Sequence, residues 1–145
     1  MGARAEGSLT AIAGSAAQTI ATSALRAQQA RMRIIAENLA NANSTSRTAG
    51  GDPYRRQSPV FEPDKTDAGM GVRMSRVEPD RSDFKVAYQP GHPSADAKGY
   101  VKLPNVNSLV EALDMREAQR AYEANLNMIE AARGMTTRAL DLLRR

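Results

Sequence analysis

Apolar positions recur with a helical period at the two ends of this chain and lose that period in the middle. Over residues 8–45, Ala21, Leu25, Gln28, Met32, Ile35, Leu39 and Ala42 follow one another at alternating steps of four and three, the spacing of a coiled-coil seam. Over residues 106–145, steps of seven link Ala121, Met128, Met135 and Leu142, and again Met115, Tyr122, Ile129, Thr136 and Leu143. Two adjacent rows of this kind make one broad apolar face. The pattern predicts a flexible segment over residues 1–7, a first helix over 8–45, a turn and β region over 46–105, and a second helix over 106–145. At about 1.5 Å of rise per residue each helix would run about 50 to 60 Å, longer than a compact domain of this length needs.

The middle is marked by its breakers. The chain's seven prolines and ten glycines fall mainly between Gly50 and Pro104, where a small β unit or an ordered loop is expected. The fold class is therefore mainly α, with the two long helices paired as a coiled-coil layer.

Composition sharpens the picture. In 145 residues the hydrophobic fraction is 41%, but only 4% are aromatic and there is no Trp. Alanine on a helix face permits close approach, yet each methyl-sized group contributes only about 0.8 kcal/mol on burial. An isolated monomer is expected to be marginal, with terminal helices that are largely mobile until neighbours order them. Two readings fit the Ala-rich seams: surfaces completed by neighbouring molecules, or an ordinary two-helix core.

The net charge of +4 is spread along the chain, with four Arg against two Glu up to Thr45, ten bases against eight acids in the middle, and six Arg against six acids from Val106 on. No cluster resembles a nucleic-acid footprint, so no nucleic-acid partner is expected. The chain has no Cys, which removes disulfides and thiol chemistry together. No stretch is long and apolar enough to span a membrane, and none near the N-terminus has the apolar run of a cleaved secretory signal. Export, if it occurs, is expected by a route that reads no cleaved signal.

Catalytic constellations are not visible. The single His92 lies in Pro90-Gly91-His92-Pro93, where a turn role is expected, and one His makes no metal site. Asp64, Asp67, Glu78, Asp80 and Asp83 are scattered through polar sequence, where most are expected to be solvated, and no pair stands out as acid and base. Gly50-Gly51-Asp52-Pro53 lacks the spacing of a phosphate-binding loop and reads as a tight turn. No catalytic, metal or cofactor residue is assigned.

Asparagine is the more specific signal. Asn38, Asn41 and Asn43 cluster at the end of the first helical stretch, and Asn125 sits beside the second seam. Asn is an indifferent helix former whose side chain caps backbone groups or fixes register at an interface. Asn38 and Asn41 are assigned to an interface or a cap, with solvent exposure as the alternative.

The run Ala36-Glu37-Asn38-Leu39-Ala40-Asn41-Ala42-Asn43-Ser44-Thr45 resembles the N-terminal signature of bacterial flagellar axial proteins, which form the rod and hook. Gly50-Gly51-Asp52-Pro53-Tyr54-Arg55-Arg56, Gly99-Tyr100-Val101-Lys102-Leu103-Pro104-Asn105-Val106-Asn107 and Met115-Arg116-Glu117-Ala118-Gln119-Arg120-Ala121-Tyr122-Glu123-Ala124-Asn125-Leu126 are similar to the proximal-rod branch of that family. Together they cover nearly the whole chain in order. Ser46-Arg47-Thr48-Ala49 stands where many rod and hook relatives carry Gly-Phe or Gly-Tyr, which also favours the proximal-rod branch. Met1 to Thr10 matches nothing and is expected to be disordered before assembly.

The resemblance implies a structural subunit of the proximal rod, in the basal body of a bacterial flagellum. It would stack helically with copies of itself and other rod proteins into a hollow shaft that carries torque from motor to hook. It further implies export by the flagellar type III apparatus, a junction with the MS ring and export gate at the base, and the distal rod above. The assembly interface is assigned to Leu25, Met32, Ile35, Asn38, Leu39, Asn41, Tyr54, Arg55, Arg56, Tyr122, Ala124, Asn125, Met128, Ile129, Met135 and Leu142. For Tyr54-Arg55-Arg56 the alternative is a surface strand continuing into Gln57-Ser58-Pro59-Val60-Phe61. The runner-up function is a cytoplasmic flagellar export chaperone or adaptor; an enzymatic, peptidoglycan-cleaving reading lacks a candidate acid.

Overall fold

The computed structural model describes residues 2–144; Met1 and Arg145, the outer limits of the predicted N-terminal segment and second helix, lie outside the described residues. The element order is α1 (Gly2–Ala40), β1 (Gln57–Thr66), β2 (Gly69–Pro79), β3 (Lys85–Tyr88), β4 (Tyr100–Leu103) and α2 (Ser108–Leu143). In chain order, two long helices bracket two small two-stranded sheets, β1 with β2 and β3 with β4. The helix α1 starts earlier than the periodicity predicts and takes in the stretch assigned to a flexible segment. It also ends earlier, at Ala40 and not near residue 45.

Asn41 explains that end. Its amide nitrogen donates back to the Glu37 carbonyl at 2.9 Å, and Ser44 bonds the Asn41 carbonyl through both its N–H and its hydroxyl. The last carbonyls of α1 are thus satisfied by side chains and turns instead of a further helical turn. At the start of α2, Asn107 Oδ1 accepts the N–H groups of Leu109 (3.1 Å) and Val110 (3.4 Å), the bonding of an N-cap.

The chain divides into two compact units. One comprises α1 as far as Ala30, the hairpin segment Phe61–Ser75, and α2 from Ala118 onward. Its buried positions are small: Gly7, Gly14 and Ala21 lie seven apart on α1, and Ala132 and Ala139 seven apart on α2. A Cβ built on Gly14 would stand 2.7 Å from Thr136 Oγ1 and 3.0 Å from the Ala132 carbonyl, and one on Gly7 would stand 3.6 Å from the Ala139 carbonyl. The two helices therefore approach here in opposite directions, at a spacing that at Gly14 only glycine allows. Ser23 seats the hairpin on α1, because its hydroxyl donates to the Ile20 carbonyl (2.7 Å) and accepts the Val72 N–H (3.2 Å).

The second unit comprises Arg31–Val60 and Arg76–Glu117. Here β3 and β4 pair antiparallel with Lys85 opposite Leu103 and Tyr88 opposite Tyr100. Strand alternation turns Ala87, Val101 and Leu103 to one face and Val86, Tyr88 and Tyr100 to the other. Val101 is fully buried, while Tyr88 and Tyr100 stand exposed, edge to face at 5.2 Å between ring centres. The buried set includes Ile34, Ile35, Asn38, Ser94, Val101, Pro104, Val106 and Glu111, so polar residues share the interior with the aliphatic ones.

Candidate assembly interface

Three short segments distant in sequence converge on Tyr54–Ser58. From α1, the buried Asn38 donates from its amide nitrogen to the Gln57 carbonyl (2.8 Å), and its oxygen accepts both the Gln57 N–H (2.9 Å) and the Tyr54 hydroxyl (2.7 Å). The side-chain amide thus pairs with the Gln57 backbone as a strand neighbour would, which satisfies polar groups that the start of β1 would otherwise leave open. Burial, with the charges of Glu37 and Glu111, holds the Tyr54 phenol above its ordinary pKa, so near neutral pH it remains a donor.

Arg56 is gripped by its main chain and its head group together. Its N–H donates to Asn105 Oδ1 at 2.7 Å, and its carbonyl accepts the Asp80 N–H at 2.8 Å. Its guanidinium donates through Nε to Glu111 Oε1 and through Nη1 to Ser58 Oγ at 2.9 Å. Asp80 lies 3.4 Å from Nη1 and Asp114 3.8 Å from Nη2. Burial disfavours the guanidinium's charge, but the hydrogen bond and charge of Glu111, aided by Asp80, more than offset it and hold the Arg56 pKa above its ordinary value. Hydrogen bonds from the Ser82 N–H and hydroxyl, then the Arg56 charge, hold Asp80 below the usual carboxylate range.

Arg55 points elsewhere. Its Nη1 donates to the carbonyls of Asp80 (2.8 Å) and Ser82 (2.9 Å), and its guanidinium lies 4.1 Å from the centre of the Phe84 ring, a cation–π stacking distance. Asn105 donates to the same two carbonyls. The Tyr54-Arg55-Arg56 segment therefore makes its polar bonds inside its own chain.

The residues assigned from sequence divide by environment. Ile35 and Asn38 are buried; Leu25, Met32, Leu39, Asn41, Tyr54, Arg55, Arg56, Tyr122, Asn125 and Ile129 are half-buried. Ala124, Met128, Met135 and Leu142 are exposed, the last three at 54%, 42% and 62%. Of these, Asn38 and Tyr54 meet directly, while Arg55 and Arg56 meet at Asp80. The first predicted seam on α1 coincides with buried and half-buried positions throughout. On α2 the Met115 row is half-buried as far as Thr136, whereas the Ala121 row is exposed from Met128 on.

Sequence reasoning missed Glu111, Asp80, Asn105 and Asp114. Asp80 is one of the scattered acids of which most are expected to be solvated; its carboxylate is engaged by Arg56 and Ser82. A signal for Glu111 does exist, because Glu111, Ala118, Asn125, Ala132 and Ala139 step by seven, and an acid heads a row whose other members are small. His92 accepts the Ser94 N–H through Nδ1 at 3.0 Å, within the turn that contains it.

Known proteins place this arrangement in a family. Residues 19–47 match the family described as flagella basal body rod protein, and residues 97–142 match the C-terminal part of the flagellar basal body rod FlgEFG proteins. The flagellar basal-body rod protein FlgC of Agrobacterium fabrum is 48% identical over 132 residues, covering 90% of this chain and 95% of its own length. The chain belongs to the FlgC family of flagellar basal-body rod proteins. Relatives of the same name from Salmonella typhimurium and Bacillus subtilis are 40% and 36% identical, each spanning 85% of this chain and 92% and 93% of their own lengths.

As a FlgC-family member the chain is a structural rod protein of the flagellar basal body, and not an enzyme. The alternative of a cytoplasmic export chaperone is set aside by the same matches. Both family matches fall on stretches that contribute to the Asn38 and Glu111 contacts, residues 19–47 carrying Asn38 and residues 97–142 carrying Asn105, Glu111 and Asp114. Among the described residues, no helix is long and apolar enough to cross a membrane.

Proposed function

We propose that the chain assembles helically with copies of itself and with other rod proteins into a hollow shaft that transmits torque from motor to hook. In this reading α1 and α2 pair as a coiled coil in the inner layer. The subunit reaches its place through the flagellar type III export apparatus without a cleaved signal, and it sits between the MS-ring and export-gate junction below and the distal rod above. The observation that carries the reading is the apolar surface left uncovered in the single chain: Met128, Met135 and Leu142 on α2, with Leu9 and Ile12 on α1 exposed at 66% and 63%. Such surface on a small protein marks a place where another molecule sits. Head-to-tail contacts that do not close into a ring generate a helical filament, in which each subunit is stabilised by its neighbours.

The half-buried Tyr54, Arg55 and Arg56 and the Asn41 end of α1 are likewise assigned to contacts with neighbouring subunits. The test is quantitative mass spectrometry of purified hook and basal-body particles from cells carrying either the natural chain or Ala124→Lys. The expected result is a fixed ratio of the natural chain to other rod components, and loss of the variant from the particles while it is still exported. Absence of the natural chain from the particles, or incorporation of Ala124→Lys at the natural ratio with normal motility, would overturn this placement of the interface.

A further inference from the structure

The unit that holds α2 from Ala118 onward exposes the row Met128, Met135 and Leu142. Arg138 comes three positions after Met135 and four before Leu142, so it lies on the same side of the helix as both. It is exposed and makes no hydrogen bond or ion pair with a described residue. The row is therefore apolar, rich in thioether and edged by a free cation.

The other unit exposes a face of matching chemistry. On the β3–β4 hairpin, Val86, Tyr88 and Tyr100 turn outward together, and two of the chain's four Tyr stand side by side with ring centres 5.2 Å apart. The Tyr88 ring lies against the backbone of Gly99, where an added Cβ would stand 2.9 Å from Tyr88 Cε2. Asp96 lines the same groove as Tyr88, and its Oδ1 accepts the N–H groups of Lys98 (2.9 Å) and Tyr100 (3.0 Å). Backbone hydrogen bonds of this kind, first that from Tyr100, hold the carboxyl below the usual carboxylate range. Near neutral pH Asp96 is thus a fixed negative charge beside the rings.

Thioether sulfur packs favourably against aromatic rings, rigid Tyr side chains are common anchors at protein interfaces, and Arg pairs well with carboxylate. The two faces therefore complement each other in apolar chemistry and in charge. The exposed apolar set at the start of α2, Leu109, Val110 and Leu113, offers no such match. It carries no ring, and the acids beside it, Asp114 and Glu117, already face Arg56 and Arg31.

We propose that the Tyr88–Tyr100 face of one copy seats on the Met128–Met135–Leu142 row of the next, with Asp96 of the first copy paired to Arg138 of the second. The proposal rests on the reading of the chain as a helically assembled rod subunit, and it names what covers that row. Because the two surfaces differ, the contact is heterologous and can repeat from copy to copy.

The chain has no Cys, so introduced cysteines report the contact in the assembled protein. Ala97→Cys lies in the groove with Tyr88 and Asp96, and Ala131→Cys lies between Met128 and Met135 on the same side of α2. Both replace small exposed side chains and keep the proposed anchors. Purified hook and basal-body particles carrying the double variant are treated with a short bis-maleimide, and the chain is sized on a denaturing gel. Dimers and higher multimers of the chain are expected, roughly tenfold more than from either single variant. Three results would each overturn the proposal and leave the rod reading intact: equal dimer from Ala131→Cys alone, linkage only to a different rod protein, or no linked product with the chain in the particles at its fixed ratio. Absence of the natural chain from the particles would overturn both.

A charge test decides if the double-cysteine chain is not incorporated. In cells that also express the natural chain, the ratio of variant to natural chain in the particles should fall about threefold for Arg138→Gln and for Asp96→Asn, which keeps the Oδ1 acceptor. The two changes together should cost about threefold again, because the second removes nothing further once the pair is broken. A ninefold fall for the combined variant, or natural ratios for the single ones, would overturn the pairing.

Discussion

The unit formed by the N-terminal part of α1, the hairpin segment and the C-terminal part of α2 is held by small groups at close approach, whereas the unit of Arg31–Val60 and Arg76–Glu117 is held in large part by paired polar groups. In the first, Gly7, Gly14, Ala132 and Ala139 bring helix backbones within van der Waals reach, and dispersion at close range replaces what large side chains contribute elsewhere. In the second, Asn38 and Glu111 are buried, as Ile34, Ile35, Val101 and Val106 are, and they bond the half-buried Tyr54 and Arg56. The lesson is one of tolerance. A small-residue contact fails when something is added, and a polar contact fails when something is removed.

That contrast can be broken from either side, and the largest effect is expected in the polar unit. Arg56→Ala strands the Glu111 carboxylate, which is 1% exposed, and the loss should fall at the low end of the ~3–5 kcal/mol seen when one member of a buried pair is removed, since Arg56 is itself partly exposed. A urea midpoint unchanged from the natural chain would show that water reaches Glu111. Next comes an addition to the other unit. Gly14→Leu pushes a side chain against Thr136 and the Ala132 carbonyl, and a cost of about 1–3 kcal/mol is expected from overpacking, beyond the helix propensity gained. Equal or greater thermal stability of Gly14→Leu would mean the helices can part there without loss.

Asn38→Ala should cost somewhat less, about 1–2 kcal/mol. It deletes three hydrogen bonds, but the Gln57 backbone and Tyr54 hydroxyl are only partly buried and can recruit water. Amide exchange at Gln57 offers a direct reading, with faster exchange in the variant expected and unchanged protection arguing that the amide is not the anchor. The smallest effect is on pH. Asp80 is held below the ordinary carboxylate range, so its contribution is fully present above that range and is lost as the pH falls through the folded value. Urea midpoints at pH 5 and pH 3 should differ more for the natural chain than for Asp80→Asn; equal differences would remove Asp80 from the account.

Much of the fold is legible in the order of residues alone. The two helices follow from uninterrupted helical periods without proline, the β region from the breakers between Gly50 and Pro104, and the family from four segments in order. The site is legible only in part. Asn38, Tyr54 and Arg56 stand out as residue types, but nothing local pairs Arg56 with Glu111, 55 positions further on, or Asn38 with the backbone of Gln57. The helix ends are not legible either, because the stop at Ala40 depends on which donors Asn41 and Ser44 can offer the last carbonyls.

The sequence by itself determined that α1 and α2 form and that α2 carries more than one apolar row, since periodicity is a property of neighbouring residues and the backbone reads it locally. Only the tertiary structure decided which row lies inside. That choice depends on the fit of glycine and alanine against an opposing backbone, which is not expressed in the order of residues along either helix.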